Sequence, residues 1–511
     1  MAKSRLENSA GIIASGLFLR FLTLGLSFLS RTFFIRCLGD DCLGLNGLFT
    51  TILTMFSLVE LGIGQAITFY MYKPIAEEDT RRLAVLVKFY RLCYRIIGFA
   101  IAGLGCALIP LLPKIINLEG EVPYSIPLLY VLYVANTAVT YLFFSYPRTV
   151  LTAYQEGALV NKVDSVFALL SVTLEILLLV LTKNFIAFLL IRLAVTVAKN
   201  LVLGLIALKK YPYIRQKTEE KISKAEIKEM FKDIYGLFVV RLSAQMIDST
   251  DNLFISAMIG TVLAGYNSNY MMIINAIYGI VSTIIYSCGA SLGNLCATES
   301  KERAENVFST LNFINFWISC FCTVCLFQLM NPFITLVWGA HYTFDLFTVA
   351  LICGNFYIVS SMYTIFSFRQ SLGLFRECIY YQFAGAVVNV ILDFILIRFM
   401  GIAGLFAATV FVNVFIVCFP YSNNLYKVGF KMNSRPLLLK MVGGYVVCAG
   451  ICGVNSLICS LIPVTIPGFI AQCALSVLIP NGLILLLFHR TPAFRATLGY
   501  GKILANKILH R

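Results

Sequence analysis

The sequence predicts an all-α integral membrane protein of about 14 transmembrane helices. Twelve form two six-helix lobes in parallel orientation, and an extra pair follows. Hydropathy, the placement of Lys and Arg, and an internal repeat point to that architecture. Hydrophobic residues are 59% and charged residues 13% of the 511, with mean hydropathy +0.85. A water-soluble core of this composition would leave too much apolar surface exposed. Charge is also clumped. Between Asp251 and Glu299 there is no Asp, Glu, Lys or Arg, which is chain enough for more than one bilayer crossing at about 20 residues each.

Apolar runs broken by charge or by Pro/Gly clusters place spans near 12–35, 43–72, 92–112, 126–147, 163–182, 184–208, 235–258, 264–296, 307–330, 346–368, 378–397, 402–425, 437–460 and 466–488. The first run is too long for the apolar core of a cleavable signal and is expected to stay as the first helix. Lys and Arg gather in alternate connections: Lys3 and Arg5, the group from Lys73 to Arg95, Arg148 and Lys162, Lys209 to Lys232, Lys301 and Arg303, Arg369 and Arg376, Lys427 to Lys440, and Arg490 onward. The intervening connections hold only Arg36, Lys114, Lys183 and Arg398. The positive-inside bias therefore puts both termini in the cytoplasm.

Sliding the chain against itself by 221 residues superposes Gly39, Gly44 and Asn46 on Gly260, Gly265 and Asn267. The same shift pairs Arg20 with Arg241, Glu78 with Glu299, Arg82 with Arg303, Arg148 with Arg369 and Glu156 with Glu377. The period holds six helices, an even number, so the lobes share one orientation. The expected organisation is an N-lobe at 1–210, a charged cytoplasmic linker at 211–233, a C-lobe at 234–435, and two helices with a cytoplasmic tail at 436–511.

Charges inside a bilayer cost about 2.5–3.5 kcal/mol each on insertion scales, so those present need a partner or a polar cavity. Arg20 and Arg241 each lie some eight residues into the first helix of a lobe, roughly 12 Å from the cytoplasmic end. Pseudo-symmetry would place them facing each other across a central cleft, where two guanidiniums suit a pyrophosphate or other polyanion. Snorkelling or pairing within each lobe is the plainer reading. Glu175 and Arg192 lie at similar distances on either side of the tight turn at Lys183, the spacing of a structural ion pair. Arg31, Asp248 and Asp251 sit in outer helix halves and could form a gate or a static pairing. Glu60 and Asp393, mid-helix without an obvious local partner, are candidates for coupling or for a hydrogen-bonded carboxyl, and the repeated Asn46 and Asn267 are candidate polar cavity positions. Glu78, Arg82, Glu299 and Arg303 suggest a cytoplasmic latch or simply solvated helix starts.

Other classes are disfavoured. The net charge of +15 lies in short clusters between apolar runs, not on a basic surface interleaved with aromatic residues, so no nucleic-acid partner is expected. The three histidines, His341, His489 and His510, fall outside the expected spans, and no G-x-x-x-x-G-K-[ST] loop is present. The outer connections are short for a glycan-modifying membrane enzyme, so the chain is expected not to be an enzyme and to need no cofactor or metal. Most of the sixteen cysteines, such as Cys288, Cys320, Cys322 and Cys418, stand singly in apolar runs as small hydrophobes, and Cys37 with Cys42 is the one pair near an outer turn.

The stretch RTFFIRCLGDDCLGLNGLFTTILTMFSLVELGIGQAITFYMYKPIAEED, its repeat partner TDNLFISAMIGTVLAGYNSNY with SLGNLCATE after it, and VVNVILDFILIRFMGIAGL resemble the bacterial polysaccharide flippases, the Wzx-type oligosaccharide translocases. These belong to the multidrug/oligosaccharidyl-lipid/polysaccharide exporter (MOP) superfamily. The resemblance implies two six-helix lobes around a central cavity, in the cell membrane. It also implies translocation of undecaprenyl-diphosphate-linked oligosaccharide to the outer leaflet by alternating access, with a polysaccharide polymerase and glycosyltransferases as associated partners. In related lipid II flippases, cavity arginines on the first helix of the lobes contact the diphosphate, and Arg20 and Arg241 match that placement. The runner-up is a multidrug or organic-cation antiporter of the same superfamily, which would use a buried carboxylate instead.

Overall fold

The computed structural model describes residues 2–57, 70–75, 77–118, 120, 122–142, 146–154, 156–215, 222–228, 230, 250–286, 292, 295–296, 299–374 and 378–498, with side chains from residue 21 onward. The described residues are helical or in short connections. They fall into two compact units, Met1–Ser268 and Asn269–Arg511.

The first unit opens with α1 (Ala2–Ser57), which breaks at Gly39 with φ 79° and ψ −174°. Glycine takes a positive φ without the penalty a Cβ brings, and the break falls where the sequence expects the turn between its first two spans. Helix α2 (Thr80–Leu108) starts on Asp79, whose carboxylate accepts from the Arg82 backbone N–H. Helix α3 (Ile126–Leu142) leads into the short α4 (Tyr146–Ala153) with a bend of 47°. Helix α5 (Gly157–Thr182) ends on Lys183 in the left-handed region, and Asn184 then caps α6 (Phe185–Lys210) by accepting from the Ile186 and Ala187 N–H groups. Helix α5 packs along both α1 and α6, and α3 against α2 and α6.

The sequence before α7 (Asp251–Met258) is outside the description. Helix α7 and the first turns of α8 (Thr261–Tyr286) pack back onto α1. There the repeat-related glycines meet: a Cβ on Gly44 would lie 2.4 Å from the Thr261 carbonyl oxygen, and one on Gly265 would lie 2.7 Å from the Gly44 nitrogen. Backbones approach this closely only where side chains are absent.

In the second unit, α9 (Lys301–Val337) is the central helix, packed against α10 (Leu346–Ser361) and, farther along the chain, α14 (Arg435–Cys459) and α15 (Ile466–Phe488). Helix α11 (Tyr363–Ser371) continues α10. Helix α12 (Ile379–Met400) turns at Gly401 (φ 57°) into α13 (Ile402–Phe411), and the helical path runs on through wider turns to Phe430. The reversal is tight, since a Cβ on Gly404 would lie 2.3 Å from the Leu396 carbonyl oxygen.

Eleven described helices are long and apolar enough to cross a membrane, or twelve if the bent α3–α4 pair counts as one span. The sequence expects about 14. The expected spans 12–35 and 43–72 correspond to the two helical segments of α1 on either side of the Gly39 break, described up to Ser57 and counted as a single span, and most of 235–258 lies outside the described residues. Helix α5 shows why lipid must surround the fold: its most apolar window has hydropathy 2.3, yet only 11% of that window is covered by protein. Cys37 and Cys42 are both free thiols, so the pair contributes packing and no crosslink.

Candidate functional site

Among the described residues, three of the polar clusters set within these apolar helices include sequence-predicted site residues or line a cavity, two in the first unit and one in the second. The first centres on Glu175 of α5, which is buried. Its carboxylate accepts from Arg192 through Nε and Nη2, both at 3.2 Å, from Ser171 Oγ at 2.8 Å and from Ser30 Oγ at 3.2 Å. The Arg192 guanidinium also lies over the Phe188 ring, 4.4 Å from its centroid. The tight turn at Lys183 sets α5 and α6 antiparallel and brings the two residues to one depth. Arg31, two turns before the Gly39 break in α1, donates to Ser268 Oγ at 2.5 Å, with Tyr133 and Arg192 in its electrostatic surroundings.

Next to this cluster Asn46 accepts the Tyr133 hydroxyl hydrogen bond. Its repeat counterpart Asn267 donates to Asn252 Oδ1, and Asn252 donates to Thr51 Oγ1, both at 2.8 Å. The equivalent asparagines therefore have different partners. Asp251 is buried at the start of α7. Arg241, Asp248 and Glu60 lie outside the described residues, as does the side chain of Arg20.

The second cluster lines a cavity of about 630 Å³ among α1, α4, α5 and α6. Arg148 forks onto Asp164 with Nη1–Oδ1 at 3.2 Å and Nη2–Oδ2 at 2.7 Å, while Lys199 Nζ stands 3.9 Å from the same carboxylate. In the sequence Arg148 reads as a connection charge repeated at Arg369, and neither Asp164 nor Lys199 is singled out. The signal was present: they stand 19 and 16 residues from the Lys183 turn, so the arithmetic that aligns Glu175 with Arg192 also aligns them.

The third cluster lies in the second unit. Asn389, Asp393 and Thr409 are all buried, and the Asn389 amide donates to Thr409 Oγ1 at 3.2 Å and reaches Asp393 Oδ1 at 3.5 Å. Asn389 stands one turn before Asp393 on α12, so the sequence could have offered this partner too.

The candidate latch residues divide. Arg82 pairs with Glu226 of the connecting segment at 2.5 Å, a contact between elements, whereas Arg303 reaches Glu299 in its own turn at 3.5 Å. Arg148 and its repeat partner also differ, since Arg369 is buried, donates to Asn424 Oδ1 and the Leu374 carbonyl, and lies over the Tyr421 ring.

The sequence pattern of the family described as "Polysaccharide biosynthesis protein" matches residues 11–288, more than half of the chain. The chain belongs to this family. No curated protein matches it in sequence. Among solved structures, the lipid II flippase MurJ in an inward closed conformation superposes with TM-score 0.68 at 13% identity, covering 94% of this chain and 98% of that one. An inward-facing multidrug resistance MATE family transporter of the MOP superfamily gives 0.57 at 13% identity, covering 82% and 99%. A MATE structure in the bent conformation gives 0.55 at 13% identity, covering 86% and 97%. This polysaccharide biosynthesis family member thus has the all-helical, multi-pass MurJ/MATE fold.

Proposed function

We propose that this chain is a flippase that carries undecaprenyl-diphosphate-linked oligosaccharide from the cytoplasmic to the outer leaflet of the cell membrane by alternating access of two six-helix lobes around a central cavity. The observation that carries the reading is the sign of charge within the first unit. Its first polar cluster holds Arg31 and Arg192 against Glu175, a cationic excess that suits an anionic substrate. Arg20 and Arg241 hold the diphosphate with bidentate donors. Arg31, Asp248 and Asp251 gate the outer side, and Asn46 and Asn267 contribute polar positions. Helices α14 and α15 form the pair beyond the repeat. Both termini face the cytoplasm, where glycosyltransferases deliver the substrate, and a polymerase receives it outside.

Energy for the cycle enters at Asp393, a buried carboxylate, and at Glu60. An ionised Asp393 with Asn389 and Thr409 beside it offers oxygen ligands to a proton or small cation at a site closed to water. That same carboxylate favours the second reading, an organic-cation antiporter.

Proteoliposomes holding the purified chain separate the two. Undecaprenyl-diphosphate oligosaccharide should become accessible to an impermeant glycosidase, and ethidium should not be moved. Ethidium transport without lipid translocation would replace the first reading by the second.

A further inference from the structure

We infer that the cavity bounded by Thr23, Arg148, Asn161, Asp164, Phe167 and Lys199 is the subsite that reads the sugar next to the diphosphate, an inference that rests on the flippase reading above. Its volume, about 630 Å³, lies within the range of about 300–1,000 Å³ usual for small-molecule sites. Asn161, Asp164, Ala168 and Ser171 recur at helical spacing on α5 and face Thr196 and Lys199 of α6 across this cavity. Packing alone would have filled such a stripe with apolar residues, since the most apolar windows of the two helices have hydropathy 2.3 and 2.0.

The placement of charge selects the ligand class. Asp164 is held between Arg148 and Lys199, so a phosphate bound there would meet a carboxylate and be repelled. A sugar hydroxyl both donates and accepts: it can give its proton to Asp164 and take hydrogen bonds from Arg148, Lys199 and the Asn161 amide. Phe167 adds an apolar face for the C–H side of a pyranose ring. Thr23 brings α1 to the cavity, and Arg20 is one turn, about 4.5 Å, earlier on that helix, the spacing needed for a sugar attached to a diphosphate.

The test compares two probes on the full chain in nanodiscs: undecaprenyl diphosphate, and the lipid-linked oligosaccharide extracted from cells that express the protein. The wild type should bind the glycan-bearing probe about tenfold or more tighter. Asp164→Asn and Asn161→Ala should each reduce that ratio to about threefold or less while leaving the affinity for undecaprenyl diphosphate unchanged. Asn161→Ala spares the Arg148–Asp164 fork, so it serves if the aspartate variant fails to fold. A wild-type ratio near one, variants that keep the wild-type ratio, or variants that lose both probes in parallel would each overturn the sugar assignment. If the wild type binds neither probe, the flippase reading itself fails.

Discussion

Glu175 shows what a buried charge demands. It takes four hydrogen bonds from three residues, so removing it strands Arg192 in an apolar interior. Glu175→Ala should cost about 3–5 kcal/mol, whereas Glu175→Gln combined with Arg192→Met should cost less than the two single changes added together. Thermal unfolding of the purified variants measures both, and an unchanged melting temperature for Glu175→Ala would contradict the assignment. Outside the spans, Glu156 works at lower stakes. Burial opposes its ionisation, but hydrogen bonds from Lys210 at 2.6 Å and Tyr211 at 2.7 Å outweigh this and hold its pKa below the ordinary 4.5. A depressed carboxylate stabilises the fold above its unfolded pKa and loses that contribution as the pH falls through its folded value. The melting difference between wild type and Glu156→Gln should therefore be present at neutral pH and shrink on acidification below 4.5. A difference that grows with acid would reverse the sign. Pairings such as Glu175 with Arg192 are legible in sequence because one tight turn fixes both depths. Arg31 with Ser268 is not, because sequence reports how deep a residue lies and not which way it faces, and those two are 237 positions apart.

At the scale of elements, the glycines that recur at the 221-residue shift have a physical reason to recur. Gly44 and Gly265 meet backbone to backbone, and the atoms a new Cβ would strike are carbonyl and amide groups that cannot rotate aside. Gly44→Val and Gly265→Val should each destabilise the first unit by about 1–3 kcal/mol or more, read as loss of monodisperse protein on size exclusion. Gly25→Ala is the control, because nothing lies within 4 Å of a Cβ there. If the valine variants behave like the control, the close crossing is absent. Helix existence was the most legible feature of the sequence, since long apolar runs have few alternatives in a bilayer. The Gly39 break was legible as a turn, because glycine is the residue that takes a positive φ without strain. The π-turn path after Phe411 left no pattern in the residues that we can identify.

For the whole molecule, family membership and fold give a multi-pass membrane protein, and the proposed transport takes its expected orientation from the Lys/Arg asymmetry. An impermeant maleimide applied to intact cells should label Asn117→Cys and spare Ser300→Cys, both of which are exposed. Labelling at Ser300→Cys would invert the topology. The central claim is that paired arginines carry an anionic lipid-linked glycan across the bilayer. Its most direct test is the rate of undecaprenyl-diphosphate oligosaccharide translocation in proteoliposomes for Arg20→Ala, Arg241→Ala and the matching lysine variants. The account predicts that either alanine abolishes translocation in protein that still inserts, and that lysine restores it only in part, since a point charge keeps the attraction but loses the bidentate geometry. Alanine variants that translocate at the wild-type rate would contradict it.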